Sequence, residues 1–109
     1  MNPWTVLLLA IVCEVIGTTN LKLSRGFTEF LPSALVAVFY GASIFLMALA
    51  LREIEVGVAY AVWAGMGTAL IALIGILWFG DQATLPRLAF LGCVIIGVVG
   101  LHLTGAAQA

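Results

Sequence analysis

Glu14 stands out by its surroundings. It lies a little past the middle of the apolar run Trp4–Leu21, and no other run of that kind in the chain contains an aspartate, glutamate, lysine or arginine. In hydrocarbon an acidic side chain at a helix centre costs roughly 2.5–3.5 kcal/mol, so such residues face a protein interior or a water-filled cavity and serve ion or proton pathways. A carboxylate held where its charge is disfavoured is neutralised either by a proton or by a bound cation. That is the elementary condition for exchanging one for the other. The alternative is a protonated structural glutamate bonded to a neighbouring helix.

Residues three and four away share its helix face: Ala10, Ile11, Gly17 and Thr18. Three of these are small, which leaves either space beside the carboxylate or a surface for close helix contact, and the spacing does not choose. Asn20, further along, reads as a structural hydrogen bonder near the interface. Tyr60 and Trp63 are three apart, hence on one face. Aromatic faces attract organic cations by about 0.5–2 kcal/mol per contact. Both lie too deep in their run for an interfacial belt. Gly65 and Gly67 follow, at a spacing that suits a hinge or close packing. Tyr40, Ser43 and Met47 form a further stripe, polar at one end. Ala89, Cys93, Gly97 and Gly100 make a stripe of small residues, the usual surface for helix association in lipid, and are assigned to a dimer interface. His102 reads as a solvated interfacial histidine. Cys13 and Cys93 lack metal-ligand spacing and read as small apolar-facing residues, so no metal site is expected.

The elements that must position these residues follow from composition. The chain has 109 residues, 64% hydrophobic and 8% charged, where ordinary globular proteins are about a quarter charged. So large an apolar excess cannot be hidden in a small core. Lipid is the expected solvent. The charges fall in three clusters, Lys22–Glu29, Arg52–Glu55 and Asp81–Arg87, and the four runs between them each approach the ~20 residues that cross a bilayer as helix. Strands are excluded by the lack of a period-2 pattern and by the eight or so strands that a closed barrel needs. The expectation is an all-α integral membrane protein, a single transmembrane domain over 1–109 with helices near 4–21, 31–51, 56–80 and 86–105. Pro3, Pro32 and Pro86 suit first turns, and Trp4 and Trp78 suit span ends. Short linkers predict that consecutive helices are antiparallel neighbours, with no room for a soluble active site. An enzyme is not expected. The net charge of −1 without a basic run gives nucleic acid no footprint. The start lacks a basic n-region, so the first apolar run is expected to stay in the mature protein. Positive-inside logic puts the first and third loops in the cytoplasm by a narrow margin, which also suits insertion in both orientations.

Three blocks in order, Glu14-Val15-Ile16-Gly17-Thr18-Thr19, Lys22-Leu23-Ser24-Arg25-Gly26-Phe27-Thr28 and Gly57-Val58-Ala59-Tyr60-Ala61-Val62-Trp63-Ala64-Gly65-Met66-Gly67, give the chain a likeness along its whole length. It resembles the small multidrug resistance family. The resemblance implies a four-helix protomer acting as an antiparallel, dual-topology homodimer, multi-pass in the inner (plasma) membrane of a prokaryote. Helices one to three of each chain would line a shared chamber, and the fourth helices would join the pair. Glu14 would be the shared proton and cation site, with protons as coupling ion and no cofactor. Tyr60 and Trp63 would contact a cationic small-molecule substrate. Thr18, Tyr40 and Ser43 would be further wall residues, to which the helix-face spacing adds Gly17 and Ala10 as candidate binding residues beside the carboxylate. Gly65 and Gly67 would mark the bend that lets the chamber open to alternate sides. The implied activity is proton-coupled antiport of hydrophobic and quaternary ammonium cations, that is, multidrug efflux. Two features look more like the guanidinium-exporter branch, Arg87-Leu88 and Gly97-Val98-Val99-Gly100-Leu101-His102, and Phe90 stands where the family's usual fourth-helix pair has glycine. That branch typically carries tryptophan two residues after the first-helix glutamate, where this chain has Ile16. Because the first helix lines the site, it decides for the quaternary ammonium branch. The alternatives are a guanidinium exporter, one subunit of a heterodimeric pair, or, from another class, a rotary-ring proteolipid, which four spans with Tyr60 and Trp63 fit poorly.

Overall fold

The computed structural model describes residues 2–104 and holds four helices, α1 (Pro3–Leu23), α2 (Phe30–Ala50), α3 (Val56–Trp78) and α4 (Leu85–Leu103). Each is long and apolar enough to cross a membrane. The expectation of an all-helical, four-span chain therefore holds. The expected end of the fourth helix, at 105, lies outside the described residues, and α3 stops at Trp78 rather than Gly80.

Local chemistry sets the ends. Asn2 caps α1, its side chain accepting the Trp4 N–H at 2.8 Å, while Pro3 fills the first helical position, where a missing N–H costs nothing. Thr84 caps α4 in the same way through the Arg87 N–H, with Pro86 in the first turn. At the end of α3 the chain reverses at Gly80, whose φ of +74° is open to glycine. The Asp81 N–H then reaches back to the Gly75 carbonyl at 2.9 Å, and its carboxylate folds over Gly75, where a side chain would collide with it.

The α1–α2 connection is built on Ser24, which is fully buried. Its hydroxyl donates to the Leu21 carbonyl at 2.7 Å and accepts the Phe27 N–H at 3.1 Å. Its carbonyl accepts from the N–H groups of Thr28 and Glu29. These bonds hold Arg25, Gly26 and Phe27 in three successive left-handed conformations, with φ of 51°, 71° and 66°. For the two non-glycine residues that backbone costs roughly 1–2 kcal/mol each, so the turn depends on its serine.

The core belongs to α1. Val6, Leu7, Ala10, Ile11 and Val15 are buried on it, and all of these but Ala10 cluster with Ala50 and Ile54, at and after the end of α2, and with Ala59 and Val62 of α3. Both α2 and α3 lie against α1, and α4 leans on α3. The expectation that short linkers make all consecutive helices neighbours needs correction at the second turn. Although only residues 51–55 join them, α2 and α3 make at most marginal contact. Each uses α1 as its packing surface, so they diverge from their shared turn and leave a cleft with α1 as its floor. No residue of α4 is buried. The outer surface is apolar, from Phe30 to Phe90 and Leu103, as lipid requires. The four helices form a slab, 18 Å in its thinnest dimension.

Candidate functional site

Glu14 looks into the cleft from α1, and its two carboxylate oxygens have different surroundings. Oε1 accepts a hydrogen bond from Thr18 Oγ1, one turn along the same helix, at 3.1 Å. Thr18 Oγ1 lies 2.6 Å from the Tyr40 hydroxyl on α2. Threonine has one hydroxyl proton, so with that proton given to Glu14, the Tyr40 phenol donates to Thr18. Oε2 turns to α3. It stands 3.0 Å from the position a Cβ on Gly67 would take, so the bare backbone of Gly67 is what admits the carboxylate. Oε2 is buried without a hydrogen-bond partner among the described residues, and so is Trp63 Nε1.

Two small cavities share Glu14 and Trp63 as walls. One, of about 190 Å³, lies between α2 and α3 and adds Tyr40, Ser43 and Ile44. The other, of about 240 Å³, runs along α3 past Ala64, Gly67, Thr68 and Ile71. Both fall below the roughly 300 Å³ at which pockets for drug-sized ligands begin. Tyr60 meets Trp63 edge to face, with centroids 5.5 Å apart at 77°, yet it is 60% exposed and lines neither cavity. A buried acceptor, a buried donor and an aromatic wall thus converge in one place. Such a set can hold a cation against a carboxylate or hold a proton there in its stead.

The structure brings together Glu14, Thr18, Tyr40, Ser43 and Trp63 from three helices. It gives other expected site residues different surroundings. Ala10 is fully buried, lines neither cavity, and offers only its backbone carbonyl, which accepts from Ser43 Oγ across α1 and α2 at 2.7 Å. Gly17 is buried beneath Tyr40, whose ring carbon Cδ1 lies 2.6 Å from where a Cβ would stand. The small face of α1 at these two positions is therefore a close helix contact rather than open space. Gly65 is also a contact: a Cβ there would stand 2.6 Å from Val98 Cγ2 of α4. Helix α3 runs unbroken through Gly65 and Gly67, so both glycines have packing reasons and neither marks an interruption in this conformation. Ala89, Cys93, Gly97 and Gly100 are exposed on α4, and no atom approaches the position of a Cβ at Gly97 or Gly100. Both cysteines are free. His102 has a partner that its sequence position does not announce, for its ring meets Trp4 of α1 edge-on at 4.7 Å.

Thr68, Ala64, Ile71 and Ile44 line the cavities without having been singled out. A signal existed on α3, because Ala64, Gly67, Thr68 and Ile71 fall at i, i+3, i+4 and i+7, one helix face. Two larger crevices lie elsewhere. One of about 820 Å³ opens at the span end beside Lys22, Arg25 and Glu29. The other, of about 380 Å³, is almost wholly apolar and runs between α1, α3 and α4 below Trp4 and His102. Neither contains a buried polar side chain without a partner.

Known proteins share this arrangement of sequence. The family model described as Small Multidrug Resistance protein matches residues 2–95. The membrane protein YvaE of Bacillus subtilis is 48% identical over 92% of this chain and 84% of its own length. The quaternary ammonium compound-resistance protein QacE of Escherichia coli is 43% identical over the whole chain and 99% of its own. A guanidinium exporter of Yersinia pseudotuberculosis is 41% identical over 92% of this chain and 96% of its own.

Proposed function

Because the chain belongs to the small multidrug resistance family, we propose that it is a proton-coupled antiporter exporting hydrophobic and quaternary ammonium cations across a bacterial plasma membrane. The observation that carries this reading is the carboxylate oxygen Oε2 of Glu14, buried without a hydrogen-bond partner among the described residues and on the same cavities as the Trp63 ring. An ionised carboxylate so placed binds either a proton or a cation, and the two exclude each other at one charge. If the site reorients only when neutralised, protons entering on one side drive cations out on the other. The indole and phenol rings give a lipophilic cation an aromatic surface without demanding a particular shape.

A single protomer offers only part of a chamber. Its cavities are small, the slab is thin, and Tyr60 is exposed and lines neither of them. We read the working unit as an antiparallel homodimer in which two such clefts face each other, with Tyr60 completing the shared wall. The exposed stripe Ala89, Cys93, Gly97 and Gly100 on α4 supports a helix contact between protomers. Two copies of opposite orientation supply the inverted repeat that many transporters build within one chain. The near balance of basic residues among the loops supports insertion in both orientations. In such a pair two Glu14 carboxylates share one chamber, and a proton or cation held by one reduces the negative charge that the other faces. Flexing of α3 near Gly65 and Gly67 would open the chamber to alternate sides, since small residues let neighbouring helices slide.

A guanidinium exporter is the second reading, favoured by relatives of that name at 41% identity and by the sequence Gly97–His102. Purified protein in proteoliposomes decides between them. An imposed proton gradient should drive accumulation of tetraphenylphosphonium, and Glu14→Gln should abolish it. Accumulation that persists in Glu14→Gln refutes the mechanism, and transport of guanidinium alone would replace it with the second reading.

A further inference from the structure

We propose that Thr18 is a specificity-determining residue, which makes the two oxygens of Glu14 inequivalent and so biases the site toward cations without N–H groups and against guanidinium-type donors. The inference rests on the transport reading above and names what selects the substrate class within it. A guanidinium is held best by a carboxylate through two parallel N–H···O bonds, which need both oxygens in plane and open to the ligand. Here Oε1 already accepts from Thr18 at 3.1 Å, and Thr18 is backed in turn by Tyr40 at 2.6 Å. Oε2 alone turns to the Trp63 and Gly67 side.

A fork-shaped donor entering this cleft must either share Oε1 with the Thr18 hydroxyl or swing the carboxylate away from it. The second course takes the acceptor away from the half-buried Thr18 hydroxyl and leaves one O–H of the Thr18–Tyr40 pair without a partner. A quaternary ammonium or phosphonium ion forms no hydrogen bond and needs only the charge and the aromatic walls, so the pin does not hinder it. Sites discriminate strongly when a ligand would leave polar groups unpaired. Ser43 cannot take this role in the present arrangement, because its hydroxyl proton is committed to the Ala10 carbonyl.

The test measures dissociation constants for tetraphenylphosphonium and phenylguanidinium on the same preparations of full-length wild type, Thr18→Val and Thr18→Ser. Thr18→Ala, which also lacks the hydroxyl, serves beside the valine variant should that one fold poorly. Losing the hydroxyl should shift the affinity ratio about tenfold toward phenylguanidinium, the size of one hydrogen bond to a charged group. Thr18→Ser keeps the hydroxyl and should keep the wild-type ratio. A ratio unchanged in the valine and alanine variants, or one that serine fails to restore, overturns the role of Thr18 and leaves the transporter reading intact. Wild-type protein that binds neither cation overturns both.

Discussion

Around Glu14 the hydroxyl groups are spoken for in an order that matters. Tyr40 donates to Thr18, Thr18 donates to Glu14, and Ser43 donates to the Ala10 carbonyl. Ser43 therefore contributes as much to joining α1 and α2 as to any ligand. Interhelical hydrogen bonds in membranes contribute about 0.6 kcal/mol on average. Ser43→Ala should accordingly lower stability by about 0.5–1.5 kcal/mol, read as a shift in thermal unfolding in detergent, with cation binding retained. Loss of binding without loss of stability would assign the hydroxyl to the ligand instead. Glu14 itself was legible in the sequence because a charge in an apolar run is costly wherever the helix later packs. The Thr18–Tyr40 and Ser43–Ala10 bonds were not, since they depend on the axial register of α1 against α2, which no single-helix spacing encodes.

Among the helices, glycine has two opposite meanings. Gly65 of α3 is pressed against Val98 and Val94 of α4, while Gly97 of α4 faces away from every described residue. Gly65→Leu overfills that contact and should cost about 1–3 kcal/mol, separating α4 from α3 and lowering the melting temperature of the protomer. Gly97→Leu should leave protomer stability unchanged and instead weaken protomer association, as measured by crosslinking yield or by size-exclusion chromatography in detergent. Equal effects from the two substitutions would contradict this division of α4 into an inner and an outer face. The existence of four helices could be read from length and hydropathy alone. Which small residues sit inside a contact could not, because hydrophobic patterning barely distinguishes the faces of a helix that is apolar all round.

For the molecule as a whole, the divergence of α2 and α3 is the feature that loop length conceals. A five-residue turn limits the distance between two helices only at the turn itself, and the shared packing on α1 decides the rest. The cleft so formed is shallow and open, which makes a second copy part of the proposed working site. If the carboxylates act as a pair, co-reconstituting wild type with Glu14→Gln should lower transport roughly as the square of the wild-type fraction. A linear fall would mean that each protomer works alone. Helix α1 carries more polar side chains than any other helix, and three of them bond one turn back along that same helix: Thr18 to Glu14, Thr19 to the Val15 carbonyl and Asn20 to the Ile16 carbonyl. These three bonds lie within one helix, so α1 can form them before α2 or α3 packs against it, and Oε2 of Glu14 is the atom they leave unpaired. Such a span can enter the bilayer with three of its polar side chains already paired, which leaves the glutamate as the group that the other helices must shelter.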